Sequence, residues 1–166
     1  MRHFLLFGSL LFLFSCNSIR VYTDHDSKID FSTYSSFAYI KPEIDKVAIS
    51  DLDKRRILKA IDMNLEIKGF TKSKTPNLLV SFSTKATEKI YVNNFGWSPW
   101  FWGPNYSSVN TDTEGILFIN FFDATSKQLI WQGKGLGMIN EFTKNRDERI
   151  AFFVAEIISK YPPEIK

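Results

Sequence analysis

The sequence predicts an α+β two-layer sandwich: a mostly antiparallel or mixed sheet of four to six strands with two helices packed on one face. Three observations carry this expectation. Glu114–Gly135 (EGILFINFFDATSKQLIWQGKG) sets two runs rich in β-branched and aromatic residues either side of a short polar turn, Asp123–Lys127, the pattern of a hairpin. Two other stretches place apolar residues at helical spacing. The order strand, strand, helix, strands, helix then suits helices laid on one sheet.

Within the first arm of the hairpin, Ile116, Phe118 and Phe122 share one face and Leu117, Ile119 and Phe121 the other. Both faces are apolar, so this strand belongs inside the sheet, covered on one side and partly on the other. In chain order, Ile19, Val21 and Thr23 alternate with Arg20, Tyr22 and Asp24 as a half-buried first strand. Asp26 to Asp30 is turn-like, Ser36–Ile40 reads as a second strand, and Pro42 ends it. Ser50 then looks like an N-cap with Asp53 at the third helical position, close to a capping box. Ile57, Leu58, Ile61 and Leu65 form the apolar stripe of this helix, Arg55, Lys59, Asp62 and Glu66 its wet face, and Gly69 its stop. Leu78, Val80 and Phe82 begin a third strand reaching toward Thr87, which Tyr91–Val92 continues or follows with another. After the hairpin, Asp147 and Glu148 open a second helix whose buried side is Ile150, Phe153, Val154, Ile157, Ile158 and Tyr161, ended by Pro162-Pro163. The longest irregular stretch is 93–112, the candidate functional loop.

At 166 residues, +3 net charge, 44% apolar and 16% aromatic, the chain fits one folded domain. The near-neutral balance gives no field to attract nucleic acid. Lys54-Arg55-Arg56, the longest basic run, spans about 200° of its helix and reads as solvated surface.

The N-terminus is an address. Arg2 and His3 precede the apolar run Phe4–Phe14, interrupted only by Gly8 and Ser9. It is too short for a spanning helix, which needs about 20 residues, and fits a signal h-region. It closes in Leu13-Phe14-Ser15-Cys16, which resembles the lipobox of bacterial lipoproteins, although Phe14 is bulkier than usual there. That resemblance implies cleavage before Cys16 and a diacylglyceryl group on its sulfur. Cys16 is the only cysteine, so no internal disulfide competes for it. The chain then divides into a removed signal at 1–15, a lipidated cysteine and tether at 16–20, and one domain at 21–166. Asn17-Ser18 resembles a signal permitting transfer to the outer membrane of a Gram-negative cell, facing the periplasm. About five residues separate lipid and fold, at most roughly 18 Å of extended chain.

Catalytic constellations are missing. The mature chain keeps one histidine, His25, so Cys/His catalysis and His/Cys zinc sites lack their residues. There is no Gly-x-Ser-x-Gly, Walker A or Gly-x-Gly-x-x-Gly. On a strand, Asp24 and Asp26 would share a face and His25 would take the other, so Asp24-His25-Asp26 reads as a strand end entering a turn rather than a metal site. No metal or cofactor is expected, and no enzyme activity. A hydrolase using two carboxylates is the weakest alternative, because no acids pair from sequence. The other conspicuous feature is Phe95–Tyr106, where Trp97, Trp100, Phe101, Trp102 and Tyr106 crowd among glycine and proline. Such rings stack on sugars, sit in the bilayer interface, anchor a protein partner, or fold back to cap a sheet face.

Together these stretches resemble the bacterial lipoprotein family known as domain of unknown function 4136. The matching pieces are Asp26-x-x-x-Asp30-Phe31-Ser32-x-Tyr34-x-x-Phe37-Ala38-Tyr39, Lys68-Gly69-Phe70, Pro76-Asn77-Leu78-Leu79-Val80, Glu114-Gly115-x-Leu117 with Asp123-Ala124, Leu129-Ile130-Trp131-Gln132-Gly133 and Tyr161-Pro162-Pro163. Two positions depart from the pattern: Asn77 stands where aspartate is expected, and Gln132 where arginine is common. The resemblance implies a lipid-anchored α+β envelope domain and brings no catalytic residues. The expected protein is a non-enzymatic envelope module, bound to the membrane through Cys16, with an envelope protein or a glycan as partner of the Trp-rich loop. Replacement of Cys16 by alanine is expected to abolish incorporation of labelled fatty acid; undiminished labelling refutes the anchor.

Overall fold

The computed structural model describes residues 19–94, 107–137 and 143–163. Strands β1 (Arg20–His25), β2 (Ser36–Tyr39), β3 (Thr71–Lys72), β4 (Leu78–Asn94), β5 (Ser107–Asp123) and β6 (Leu129–Gly137) form one sheet in the order β1-β6-β5-β4-β2-β3. The β1–β6, β6–β5 and β5–β4 pairs are antiparallel, and β2 pairs in parallel with both β4 and β3. The sheet is therefore mixed, and the α+β class holds. Helices α2 (Asp51–Ile67) and α3 (Arg146–Ile158) supply the helical layer.

Local chemistry sets the helix ends. Ser50 accepts from the amide of Asp53 at 3.1 Å, so the N-cap stands where it was expected. Gly69 stops α2 with φ +86°, a conformation that a side chain would strain. A short helix α1 (Lys41–Asp45) and strand β3 were not anticipated; Pro42, read as a strand terminator, also sits in the first turn of α1.

The pleat sorts the core. Leu78, Val80 and Phe82 on β4 and Leu117, Ile119 and Phe121 on β5 are buried under the helices. From α2 they meet Ile57, Ile61 and Leu65; from α3, Ile150, Phe153, Val154, Ile157 and Ile158. At the far end Phe121 stacks on Trp131 at 4.8 Å, where one extra residue, Ile130, bulges β6. Tyr161 closes this corner, edge-on to Phe121 at 4.8 Å and within 5.9 Å of Trp131, Phe31 and Phe70. The opposite sheet face is only half-buried at Ile116, Phe118 and Phe122, and carries a polar row in which Gln132 donates to Asn120 at 2.7 Å. Among the described residues no helix lies on that face.

The seat of α3 is made of glycine. A Cβ at Gly135 would lie 2.6 Å from the ring of Phe153 and 2.8 Å from Cδ1 of Ile157. One at Gly133 would strike Ile157 and the indole of Trp131, and one at Gly137 would come within 2.8 Å of Phe153. The missing side chains let the helix settle against the strand. Gly135→Ala is expected to destabilise the fold by about 1–3 kcal/mol, since the new methyl would displace the buried Phe153 and Ile157 from their packed positions. Thermal melts should show a drop of several degrees; an unchanged melting temperature refutes the glycine seat.

Candidate functional site

One end of the sheet carries both the start of β1 and the outer part of the β4–β5 hairpin. Arg20 pairs with Leu136, Leu136 with Ile116, and Ile116 with Lys85, so these four define one row across it. From that row β1 leads back toward the N-terminus, and β4 runs on in the same direction for nine more residues to Asn94. That is roughly 30 Å of strand. β6 stops at Gly137, so the rows from Thr87–Glu114 to Asn94–Ser107 form a two-stranded arm among the described residues. Here the structure corrects the irregular stretch expected at 93–112: the strands claim 93–94 and 107–112, because β4 and β5 each run 17 residues. Tyr91–Val92, read as continuing the third strand, do lie in β4, but opposite them Asn110, Thr111 and Asp112 gave no strand signal.

At the root of the arm lies a cleft of about 390 Å³ between the sheet and the first turns of α2 and α3. Its floor is Thr84, Ala86, Gly115 and Leu117. Ile57 of α2, Ile150 and Phe153 of α3, and Ile49 in the connection before α2 give it apolar walls. Gly115 differs from the three seat glycines: a Cβ there would meet only the carbonyl oxygen of Gly137, at 3.6 Å, an ordinary contact.

One wall is ionic. The Asp53 carboxylate is buried and accepts from Arg146 Nη2 at 2.7 Å and Nε at 2.9 Å, and from Arg56 Nη1 at 3.0 Å. Arg56 also bonds Asp147. This cluster ties the start of α2 to the start of α3. Arg146 in particular holds the Asp53 carboxyl below its ordinary range. Arg56, read as solvated surface, is a member of this network, although Arg55 and Lys59 beside it are exposed or nearly so. Sequence gave no hint of the pair. Asp53 had a sufficient role as a capping residue, and Arg146 lies far along the chain.

Asp24, His25 and Asp26 lie where β1 ends and runs into a turn, and all three line a shallow cleft with Leu129–Gln132 of β6. Asp26 accepts from the amide of Lys28 at 2.9 Å in the turn, and His25 packs edge-on to Phe31 at 5.9 Å. Among the described residues no group of His, Cys, Asp or Glu is arranged to hold a metal, and no helix is long and apolar enough to cross a membrane. Cys16, and Trp97, Trp100, Phe101, Trp102 and Tyr106 of the loop, lie outside the described residues.

The two departures from the expected family pattern have local reasons. Asn77 accepts from the amides of Ser35 at 3.2 Å and Ser36 at 3.0 Å, as a carboxylate would, but also donates to the carbonyl of Thr33 at 2.9 Å, which a carboxylate cannot do. Gln132 donates to Asn120, whose amide lies 3.4 Å from Ser81 Oγ. Tyr34 donates to Asp123 at 3.1 Å; burial, with that carboxylate beside it, pushes its hydroxyl up to about 12. Asp123 is itself held by the amides of Thr125 and Ser126.

A family model described as domain of unknown function (DUF4136) matches residues 21–163. The chain belongs to this family. No curated protein matches it. Among solved structures, the DUF4136 chain resembles a PDZ domain protein from Parabacteroides distasonis, with 16% identity and a TM-score of 0.56. That likeness covers 89% of this chain but spans only 37% of the other. It also resembles the PelC dodecamer from Paraburkholderia phytofirmans, with 8% identity, a TM-score of 0.52, and coverage of 86% of this chain and 96% of that one. At such identities the likeness concerns the fold alone.

The ionic wall yields a pH prediction. A carboxyl whose folded pKa lies below its unfolded value of about 4 stabilises the fold above that value, and the contribution is lost as pH falls through the folded pKa. Asp53→Asn is expected to cost about 2 kcal/mol at pH 7, between the values for exposed and fully buried pairs. The gap between the wild-type and variant melting temperatures should narrow from pH 6 toward pH 3. A gap independent of pH refutes the assigned role.

Proposed function

We propose that this DUF4136 protein is a lipid-anchored lipoprotein of the bacterial cell envelope, a non-enzymatic interaction or structural module attached through Cys16. In this reading it faces the periplasm from the outer membrane and uses the segment 95–106 as its contact. The observation that supports this most is the direction of the strands. β1 enters from, and the β4–β5 arm projects toward, the same end of the sheet. In this reading a lipid on Cys16 would sit on the arm's side, because β1 leaves the sheet there at Arg20, and Trp97, Trp100 and Trp102 belong to the segment that joins the two strands of the arm. Tryptophan favours the interface between headgroups and acyl chains. An isolated two-stranded ribbon is marginal in water, so an arm of this length gains from a surface to lie against. A bilayer contact is accordingly favoured over a glycan held away from the membrane.

The test is spectroscopic. Tryptophan emission of the lipidated protein should shift to shorter wavelength on vesicles of phosphatidylethanolamine and phosphatidylglycerol. Changing Trp97, Trp100 and Trp102 together to alanine should remove the shift, while buried Trp131 remains as an unresponsive reference. A shift with peptidoglycan fragments and none with vesicles would replace the bilayer reading by the glycan one.

A further inference from the structure

We propose that the cleft at the root of the arm is a binding site for a long acyl chain, and that its occupant is one chain of the lipid on Cys16. The occupant's source rests on the anchor proposed above; the chemistry of the cleft does not.

Glycine in a strand interior weakens the strand unless something approaches closely. At Gly133, Gly135 and Gly137 that something is Trp131, Phe153 or Ile157. At Gly115, on the same face and in register with Gly137, nothing of the described chain fills the space. Ala86 pairs with Gly115 and is small as well. Two adjacent strands thus keep to small residues here, as β6 does beside them, but no ring or branched side chain of the described residues drops into the space over Gly115, and a cleft of about 390 Å³ lies there. That volume lies within the usual range of ligand pockets, roughly 300–1,000 Å³.

The walls select the ligand. Ile49, Ile57, Leu117 and Ile150 are aliphatic, and the polar wall is occupied with itself, Asp53 by Arg146 and Arg56. The buried side-chain polar atoms without a partner among the described residues, Trp131 Nε1 and Tyr161 Oη, belong to the far corner of the core. A sugar or nucleotide needs convergent donors and acceptors; an acyl chain needs only apolar surface, gaining about 0.8 kcal/mol for each CH₂ removed from water. The charged rim leaves a headgroup in solvent.

The position of the N-terminus names the occupant. A Cβ on Gly137 would lie 3.5 Å from Cγ1 of Ile19, so Ile19 continues the row that holds Gly137, Gly115 and Ala86. Two strand spacings, about 10 Å, separate it from Gly115. Two residues, Asn17 and Ser18, separate Ile19 from Cys16, so the three Cα steps span at most about 11 Å. An acyl chain on Cys16 reaches the cleft without any rearrangement of the sheet. A chain held there is withdrawn from the bilayer, and a single remaining chain gives only marginal attachment. The cleft would thereby ease the passage of the protein between membranes.

The purified Cys16→Ser chain, which carries no lipid, should bind cis-parinaric acid, a fluorescent long-chain fatty acid, saturably and one to one. Gly115→Leu, which fills the floor, should weaken this at least about tenfold while leaving the melting temperature unchanged or higher. Ala86→Leu is the second filling variant should Gly115→Leu fail to fold. The lipidated protein, its modification verified by mass spectrometry, should take up little probe because its own chain is in place. Absent binding, or binding indifferent to both filling substitutions, overturns the acyl site even if Cys16 is lipidated. Equal uptake by lipidated and unlipidated protein overturns the assigned occupant. An unmodified Cys16 beside Gly115-dependent binding overturns the anchor and the occupant together.

Discussion

The structure depends on how closely α3 lies against β6. Three glycines on one strand face remove the side chains that would hold the helix off, and Phe153 and Ile157 drop into the space. Three long-range relations accompany that depth. It brings Ile150 and Val154 into the core beside Ile57 and Ile61 of α2. It sets the start of α3 against the start of α2, where Asp53 can take Arg146 in a two-point ion pair. It also carries the chain beyond α3 down to the corner where Tyr161 meets Phe31, Phe70, Phe121 and Trp131. A bulky residue in the seat would disturb all three together, because close-packed interiors transmit such displacements.

Polar side chains do a complementary job, fixing loops that the core does not reach. Asn77 binds the chain entering β2 from the side of β4, through both its oxygen and its nitrogen. Asp123 closes the β5–β6 turn by accepting from the turn's own amides and takes the hydroxyl of Tyr34 from the connection between β1 and β2. Tyr39 donates to Asp62 at 2.6 Å and so ties β2 to α2. These positions fall in the stretches where the chain resembles its family, and each has a structural role that needs no chemistry beyond hydrogen bonding.

Much of this fold was legible because hydrophobic period and punctuation agreed. Ser50, Gly69 and the stripe of Ile57, Ile61 and Leu65 marked α2, and the buried side of α3 was read correctly except for Tyr161, which is buried but lies beyond the helix end at Ile158. Apart from the short local helix α1, what escaped notice depends on pairing or packing between separate elements. β3 is two residues long and exists by pairing with β2. The outer half of the hairpin is built of polar residues whose strand character comes from each other. The Asp53–Arg146 pair and the open space over Gly115 arise from packing between elements, which no local pattern announces. Gly115 did carry a signal, a glycine in the middle of a bulky strand, but only the contrast with its filled neighbours distinguishes seat from cleft.

The position of β1 governs the order in which the molecule can be completed. Arg20 finds its partner at Leu136, so the first strand to be made pairs with the last. Tyr161, near the other end of the chain, closes the corner that β1 and β6 leave at His25 and Trp131. Contacts so distant in sequence form late and slowly, because the loop must close before they contribute. A chain emerging from its N-terminus therefore has an unpaired β1 until nearly all of it is available. The edge of the sheet at β1 is therefore the last to close.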